Sequence, residues 1–298
     1  MTLITNTTKE LTQSKPEGTI DKIFELHCVA DEKVRQKHIN SALARGLPIC
    51  IRRSERKGKV AIVASGPSAT EFVETLKEWD GEIWGINGAF AWLMKRGVKP
   101  TAFIGLDPEN ILKGYLIEMP DDAAYYLAAQ VHPDVYDHLA GKNVRIWFPA
   151  DSEVKFPAGA AQVYGGTTCL SRAPNLAYLL GWRDVHIFGG DSSYTRKSHV
   201  YGEEGDLPGG TFPIELNGRV FITTRQMLQQ ACDFSEQMVE WAVPGADGSK
   251  PLNVTLYGDG LMQEIFRQNY ESGVYAQYLY ESNGGGMNRK QRRAMRKK

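Results

Sequence analysis

Several short segments place small, polar and acidic side chains directly after apolar runs. Ser65-Gly66-Pro67-Ser68, Asn87-Gly88, Asp107-Pro108 and Gly189-Gly190-Asp191 each close such a run. Small residues at these points let a ligand approach the backbone. The Ser65–Ser68 turn could offer backbone N–H groups and two hydroxyls to a phosphate at the start of the next helix. It is not a Walker A loop, because GKS/GKT is missing, and it is not GxGxxG. Taken alone it reads equally well as a strand-to-helix turn. Asn87 and Asp107 could bond a base, a ribose or a metal-bound phosphate, although Asn-Gly is also a turn signal and Asp-Pro a turn or N-cap. Gly165-Gly166-Thr167-Thr168 before a helix is a second candidate anion cradle, with N-capping by either threonine as the plainer reading. His199 lies in a long polar loop between Ser198 and Tyr201, after Asp191. A histidine there can act as general base or acid near neutral pH, and otherwise is a solvated loop residue. His27, His38, His132, His138 and His186 fall in helix- or strand-like contexts and are assigned no role.

The elements that must position these residues follow from patterning. The runs 59–64, 82–87, 101–107, 124–130, 144–150, 184–191 and 252–258 are short, apolar and bounded by turn residues, as buried strands are. Helical spacing separates them: Phe72, Val73, Leu76 and Trp79; then 89–97; then 132–142; then 167–180. This alternation predicts an α/β fold, a Rossmann-like open and mostly parallel sheet flanked by helices. Residues 212–223 form two alternating runs joined by Asn217-Gly218, which predicts a small β-hairpin insertion. A long helix is expected over about 224–241. Residues 1–18 read as disordered and 19–58 as a helical lead-in. Residues 59–283 read as one Rossmann-like domain, and 284–298 as a basic flexible tail that starts at a Gly triplet.

The net charge of zero over 298 residues hides an asymmetry. The last ten residues hold seven of the 35 basic side chains and no acid, so the remainder is mildly acidic. A uniformly basic nucleic-acid binder is excluded. Residues 287–298 could still bind a phosphate polymer in a salt-dependent way, or simply solubilise the chain. The four cysteines are far apart and lack zinc-ligand spacing, which points to a reducing, cytoplasmic compartment. The polar N-terminus reads as no signal peptide, and no apolar run approaches a membrane span.

Taken in order, VAIVASGPSA (60–69), IWGINGAF (83–90), AFIGLDP (102–108), the run 165–194 and KSHVYG (197–202) resemble the MptE-like family. They also resemble the related sialyltransferase-like domain of bacterial motility accessory factors. The resemblance covers about 60–260. It implies that Gly66, Pro67 and Ser68, then Asn87, then Asp107 contact a donor nucleotide. The helix after Thr167-Thr168 would add N-terminal donor contacts. His199 of Ser198-His199-Val200-Tyr201-Gly202 would be the catalytic base. Two departures, Ala64-Ser65 for Gly-Asn and Asp107 for Asn, point to a different donor or a metal. Archaeal members of the family transfer pyrophosphate from ATP to a hydroxymethylpterin with magnesium. Their acid-rich segment is represented here by Gly105-Leu106-Asp107-Pro108, and their other acidic segment is not evident. The histidine loop favours the glycosyltransferase-like branch.

Three readings follow. In the first, a nucleotide-sugar donor lies near Ser65, Gly66, Ser68, Asn87, Gly88 and Asp107, with Gly166, Thr167 and Thr168 as further contacts. His199, Asp191 and Ser198 do the chemistry on an acceptor hydroxyl. In the second, ATP is the co-substrate and Mg²⁺ sits near Asp107 and Asp191. In the third, the chain binds nucleotide or nucleic acid without catalysis, using residues 287–298. That tail's N-R-K-Q-R-R run is similar to those of phage-encoded proteins, where a transferase tethered to nucleic acid could modify a hydroxymethylated base.

Overall fold

A computed structural model describes residues 30–151, 153–195, 199–201, 207–242 and 250–271. The expected disorder over 1–18, part of the lead-in, Ser198, Gly202 and the basic tail lie outside these residues.

In chain order the elements are α1 (Glu32–Ala44), β1 (Val60–Val63), a 3-10 segment (Pro67–Phe72), α2 (Val73–Lys77), β2 (Glu82–Ile86), α3 (Gly88–Lys95) and β3 (Ala102–Gly105). A second 3-10 segment (Asn110–Tyr115) leads to β4 (Ala124–Ala128), α4 (Pro133–His138), β5 (Asn143–Pro149), β6 (Gln162–Val163) and α5 (Cys169–Leu179). The chain continues through β7 (Asp184–Phe188), β8 (Phe212–Leu216), β9 (Arg219–Thr223), α6 (Arg225–Ala242), β10 (Asn253–Leu256) and α7 (Leu261–Glu271).

Eight strands form one parallel sheet in the order β10-β7-β1-β2-β3-β4-β5-β6, and β8 and β9 form a separate antiparallel hairpin. β1 sits between β2 and β7, with Val60 opposite both Glu82 and Val185. Its four residues are all buried, as expected where helices cover both faces of a parallel sheet. Val60 and Ile62 face one core layer, while Ala61 and Val63 face the other with Leu76, Trp92 and Leu93. The β-branched run is therefore a two-sided strand, not an amphipathic one. Asn217 and Gly218 both take positive φ, 52° and 70°, which matches the right-handed twist of the hairpin.

The lead-in is helical over Glu32–Ala44, and its inward face is partly polar. Val34 is exposed, whereas Arg35, His38, Ile39 and Ala42 are buried. Arg35 pairs with Asp151 and Glu153, so a charged side chain tethers this helix to the end of β5. The short β6, the second 3-10 segment and α7 carry weak sequence signals and were not anticipated.

Candidate functional site

The strand order reverses at β1. The chain leaves β1 toward β2 on one side, and β7 returns on the other, so the loops after β1 and β7 diverge. Such a switch point, at the carboxyl ends of the strands, is where open α/β sheets hold ligands. Asp191, at the end of the β7 turn, is 4% exposed. The Ser68 amide donates to its Oδ2 (2.9 Å) and the Ser68 hydroxyl to its Oδ1 (2.5 Å). Burial pushes the Asp191 carboxyl above its usual range, and the two Ser68 bonds oppose that shift. Gly66 is needed here for space. A Cβ on it would fall 2.3 Å from the Gly189 carbonyl and 2.5 Å from the Asp191 carboxylate. Gly258 and Gly260 press on Asp191 in the same way from the loop after β10. Asp191 is thus the peg around which the loops after β1, β7 and β10 close.

Asn87 joins β2 to α3 with φ 49° and ψ −127°, a backbone state that costs a non-glycine residue about 1–3 kcal/mol. Its Oδ1 is buried and accepts no hydrogen bond from the described residues. An unpaired buried acceptor is itself destabilising, so two costs meet at one residue beside the switch point. The next residue, Gly88, lies under Tyr201; a Cβ there would come within 2.5 Å of the tyrosine ring. Tyr201 shares hydrogen bonds with Tyr115 and Ser65. The Val200 amide donates to the Ser65 carbonyl at 3.0 Å, fastening 199–201 to the turn after β1. His199 stacks on Tyr201, with ring centroids 5.1 Å apart and planes 10° apart. Burial holds its imidazole below the ordinary value of 6.5, so it is neutral at pH 7.

The structure therefore brings together Ser65, Gly66, Pro67, Ser68, Asn87, Gly88, Asp191 and His199. Asp107 is partly exposed on the β3 side, near Cys169, and its Oδ1 accepts from the Glu109 amide. Thr168 N-caps α5 in a capping box with Ser171, the plainer of the two expectations for that segment. The Thr167 amide donates to Asp233, whose carboxyl burial pushes up. Gly166 also abuts Asp233. The anion cradle at 166–168 is thus already filled by the chain's own carboxylate. Asp233 and Tyr201 were not anticipated as site residues. The loop 258–260 was also missed, although its Gly-Asp-Gly after a strand repeats the pattern used to find the other turns.

A cavity of about 830 Å³ opens on the β7 side of the switch point. The strand-end loops form its floor and β9 its wall. The hairpin is firmly mounted. Tyr194 donates its amide to the Ile222 carbonyl (2.7 Å), and the Thr223 hydroxyl donates to the Ser192 carbonyl (2.8 Å). Arg219 binds Asp259 (2.8 Å) and the nearly buried Glu264 (2.7 Å).

Among the described residues no three His, Cys, Asp or Glu side chains converge as a metal-ligand set. Asp107 stands near Cys169, while Asp191 neighbours Glu71 and Asp259. Magnesium held by one carboxylate and substrate phosphates needs no such set, and the partly exposed Asp107 fits that role better than the twice-bonded Asp191. Among the described cysteines Cys50, Cys169 and Cys232 are free, and burial pushes the Cys50 and Cys232 thiols up to about 12. They are packing residues rather than nucleophiles.

The doubly covered parallel sheet and its strand-end turns define a Rossmann-like α/β protein. The profile of the family described as 6-hydroxymethylpterin diphosphokinase MptE-like matches residues 39–197, and the chain belongs to this family. By fold it is similar to the MAf glycosyltransferase from Magnetospirillum magneticum AMB-1, with a TM-score of 0.60 and 19% identity. That likeness covers 85% of this chain and 43% of the other, so the chain spans less than half of that protein. A protein from Lactobacillus plantarum matches at 17% identity over 45% of each chain, with a TM-score of only 0.25. No curated protein matches the sequence. The family is described by a diphosphokinase and the fold neighbour is a glycosyltransferase, so both point to a transferase. Among the described residues no helix is long and apolar enough to cross a membrane.

Proposed function

We propose that this protein is a nucleotide-dependent transferase that moves a sugar from a nucleotide-sugar donor to an acceptor hydroxyl. The observation that carries this reading is Asn87. Its buried Oδ1, without a partner among the described residues, is satisfied if a ligand hydroxyl or amino group donates to it, which offsets the cost of holding the strained backbone. The donor nucleotide would lie along Ser65–Ser68, Asn87 and Asp107. Tyr201, 45% exposed and packed over Gly88 next to Asn87, would border the same donor. Asp191 acts through Ser68, fixing the turn that meets the donor. His199 makes no hydrogen bond to another described residue and is neutral, so a ring nitrogen is ready to take a proton. In the transfer, the acceptor oxygen bonds to the sugar's anomeric carbon while the bond from that carbon to the donor phosphate oxygen breaks. The nucleotide leaves with the electron pair, and the acceptor's proton passes to His199. Base assistance of this kind contributes about 10²–10⁴-fold.

The test is a thermal-shift panel of CMP, UDP, GDP, ADP and ATP, each with and without Mg²⁺. A nucleotide at about 100 times its Kd stabilises by about 2.7 kcal/mol. His199→Ala should lower turnover by about 10²–10⁴-fold with nucleotide binding retained; unchanged turnover removes His199 from the mechanism. The family match supports a second reading, diphosphoryl transfer from ATP to a hydroxymethyl acceptor. In it Asp107 would hold magnesium, which when bound would neutralise phosphate charge. AMP release that EDTA abolishes would favour this reading over the first. Binding of nucleic acid through residues 287–298 is a separate proposal, tested by removing that segment and measuring the salt dependence of DNA and RNA binding.

A further inference from the structure

The turn after β1 is shared by the donor residues and the 830 Å³ cavity, since Pro67 and Ser68 also line the cavity, but the two extend from it in different directions. Asn87 and Asp107 belong to the β2 and β3 ends, whereas the cavity is built on the ends of β1, β7 and β10 and on β9. Val200 joins the two. Its amide is bonded to Ser65, it lines the cavity, and His199 immediately precedes it. We propose that this cavity is the acceptor subsite and that it takes an uncharged, hydroxyl-rich ring of the saccharide class. The inference rests on the glycosyl-transfer reading above and adds the place and chemistry of the second substrate.

Three observations carry it. The volume lies within the range of sites for small molecules, and the hairpin wall is held by the Arg219–Asp259–Glu264 network and the bonds to Tyr194 and Ser192, so the space exists before a ligand arrives. The described lining holds Glu71, Asp191 and Asp259 against a single cation, Arg219, and that guanidinium is already engaged by Asp259 and Glu264. Beyond the shared turn, such a lining disfavours phosphate and favours an uncharged acceptor. It also suits sugar hydroxyls. Glu71, exposed and without a partner among the described residues, accepts hydrogen bonds, the Thr195 hydroxyl accepts and donates, the Thr70 hydroxyl, which donates to the Pro67 carbonyl, still accepts, and Tyr194 and Val220 offer apolar surface to ring C–H groups.

The experiment uses the full chain and two kinds of probe. The methyl glycosides of glucose, galactose, mannose and N-acetylglucosamine report on the cavity by saturation-transfer NMR. The nucleotide panel reports on the donor site. Val220, 64% exposed on β9, is the wall residue whose enlargement blocks the space without touching the core. Val220→Trp should weaken glycoside binding by about tenfold or more and leave nucleotide binding within about twofold, and Asn87→Ala should do the reverse. Glu71→Gln, which keeps the shape, should weaken glycosides to a lesser degree. If no glycoside binds, or if Val220→Trp leaves glycoside binding unchanged, the acceptor assignment is wrong while a positive nucleotide panel leaves the donor reading standing. If Val220→Trp abolishes nucleotide binding, the cavity is the nucleotide's own site and the assignment is equally wrong. Failure of every nucleotide to bind removes the donor reading itself.

Discussion

Gly66→Ala is the sharpest perturbation of the switch point. Gly66 has φ −66° and ψ 150°, a conformation open to any residue, so backbone preference does not oppose the change. Only space does. The new Cβ would stand 2.3 Å from the Gly189 carbonyl oxygen, and real Cβ contacts stay beyond 3.0 Å, so the turns after β1 and β7 must part by about 0.7 Å. Neither neighbour yields easily. The Gly189 oxygen is backbone and accepts the Gly66 amide at 2.9 Å, and the Asp191 carboxylate is held twice by Ser68. Loss of one backbone hydrogen bond costs about 0.5–1.5 kcal/mol and overpacking about 1–3 kcal/mol, so a destabilisation of about 2–4 kcal/mol is expected. Urea denaturation reads this as a lower Cm at unchanged m. Gly114→Ala is the control, because nothing lies within 4 Å of its Cβ, and it should stay within about 0.5 kcal/mol of the parent. Asp191→Ala combined with Gly66→Ala should cost less than the sum of the two, with a coupling of about 0.5–3 kcal/mol. Equal Cm values for Gly66→Ala and Gly114→Ala would refute the steric argument.

Asn87→Gly should raise stability by about 1 kcal/mol, because glycine adopts its backbone state without strain, and should at the same time reduce nucleotide-induced stabilisation in thermal shift. Activity should keep its plateau at neutral pH and decline only on the acid side of 6.5, since burial lowers the His199 pKa; a decline centred above 6.5 in the kcat/KM profile would contradict the base assignment. The folded pKa values of His38, His186 and His199 are all lowered by burial, so the unfolded chain binds more protons, and stability should fall as pH drops through 6.5. The buried Asp191 and Asp233 have raised values and act in the opposite sense at lower pH, so His199→Gln, which removes one histidine, should flatten the fall in Cm that sets in as pH drops below 6.5.

The fold was legible because apolar runs such as VAIV and EIWGI end sharply at turn residues, and because helices of the right length lie between them. That pattern depends only on local sequence. It also located Ser65–Ser68, Asn87 and Gly189–Asp191, since strand ends in a parallel sheet share one edge. What it could not give was pairing across the chain. The bond from Ser68 to Asp191 spans 123 residues, and nothing near either residue announces it. The use of Asp233 to fill the turn at 166–168 is likewise a tertiary event, and it gives that Gly-Gly-Thr-Thr segment an internal partner. Arg35 is buried in the lead-in helix because Asp151 and Glu153, far along the chain, supply its countercharges. Tyr201 was read as a neighbour of the histidine, and only the packed structure shows it lying over Gly88.

The placement of β1 between β2 and β7 also sets an order of events during synthesis. β2 follows β1 at once, but β7 begins at Asp184, about 120 residues after β1 ends at Val63. At about 5–20 residues per second, β1 waits about 6–24 s for its second neighbour. During that interval one edge of the most apolar strand in the sheet is unpaired, the condition that favours pairing with another chain. Until β7 arrives there is also no Asp191 to hold Ser68. The half-made protein therefore has a sheet but no switch point, and its ligand-binding edge is completed only as the C-terminal third docks.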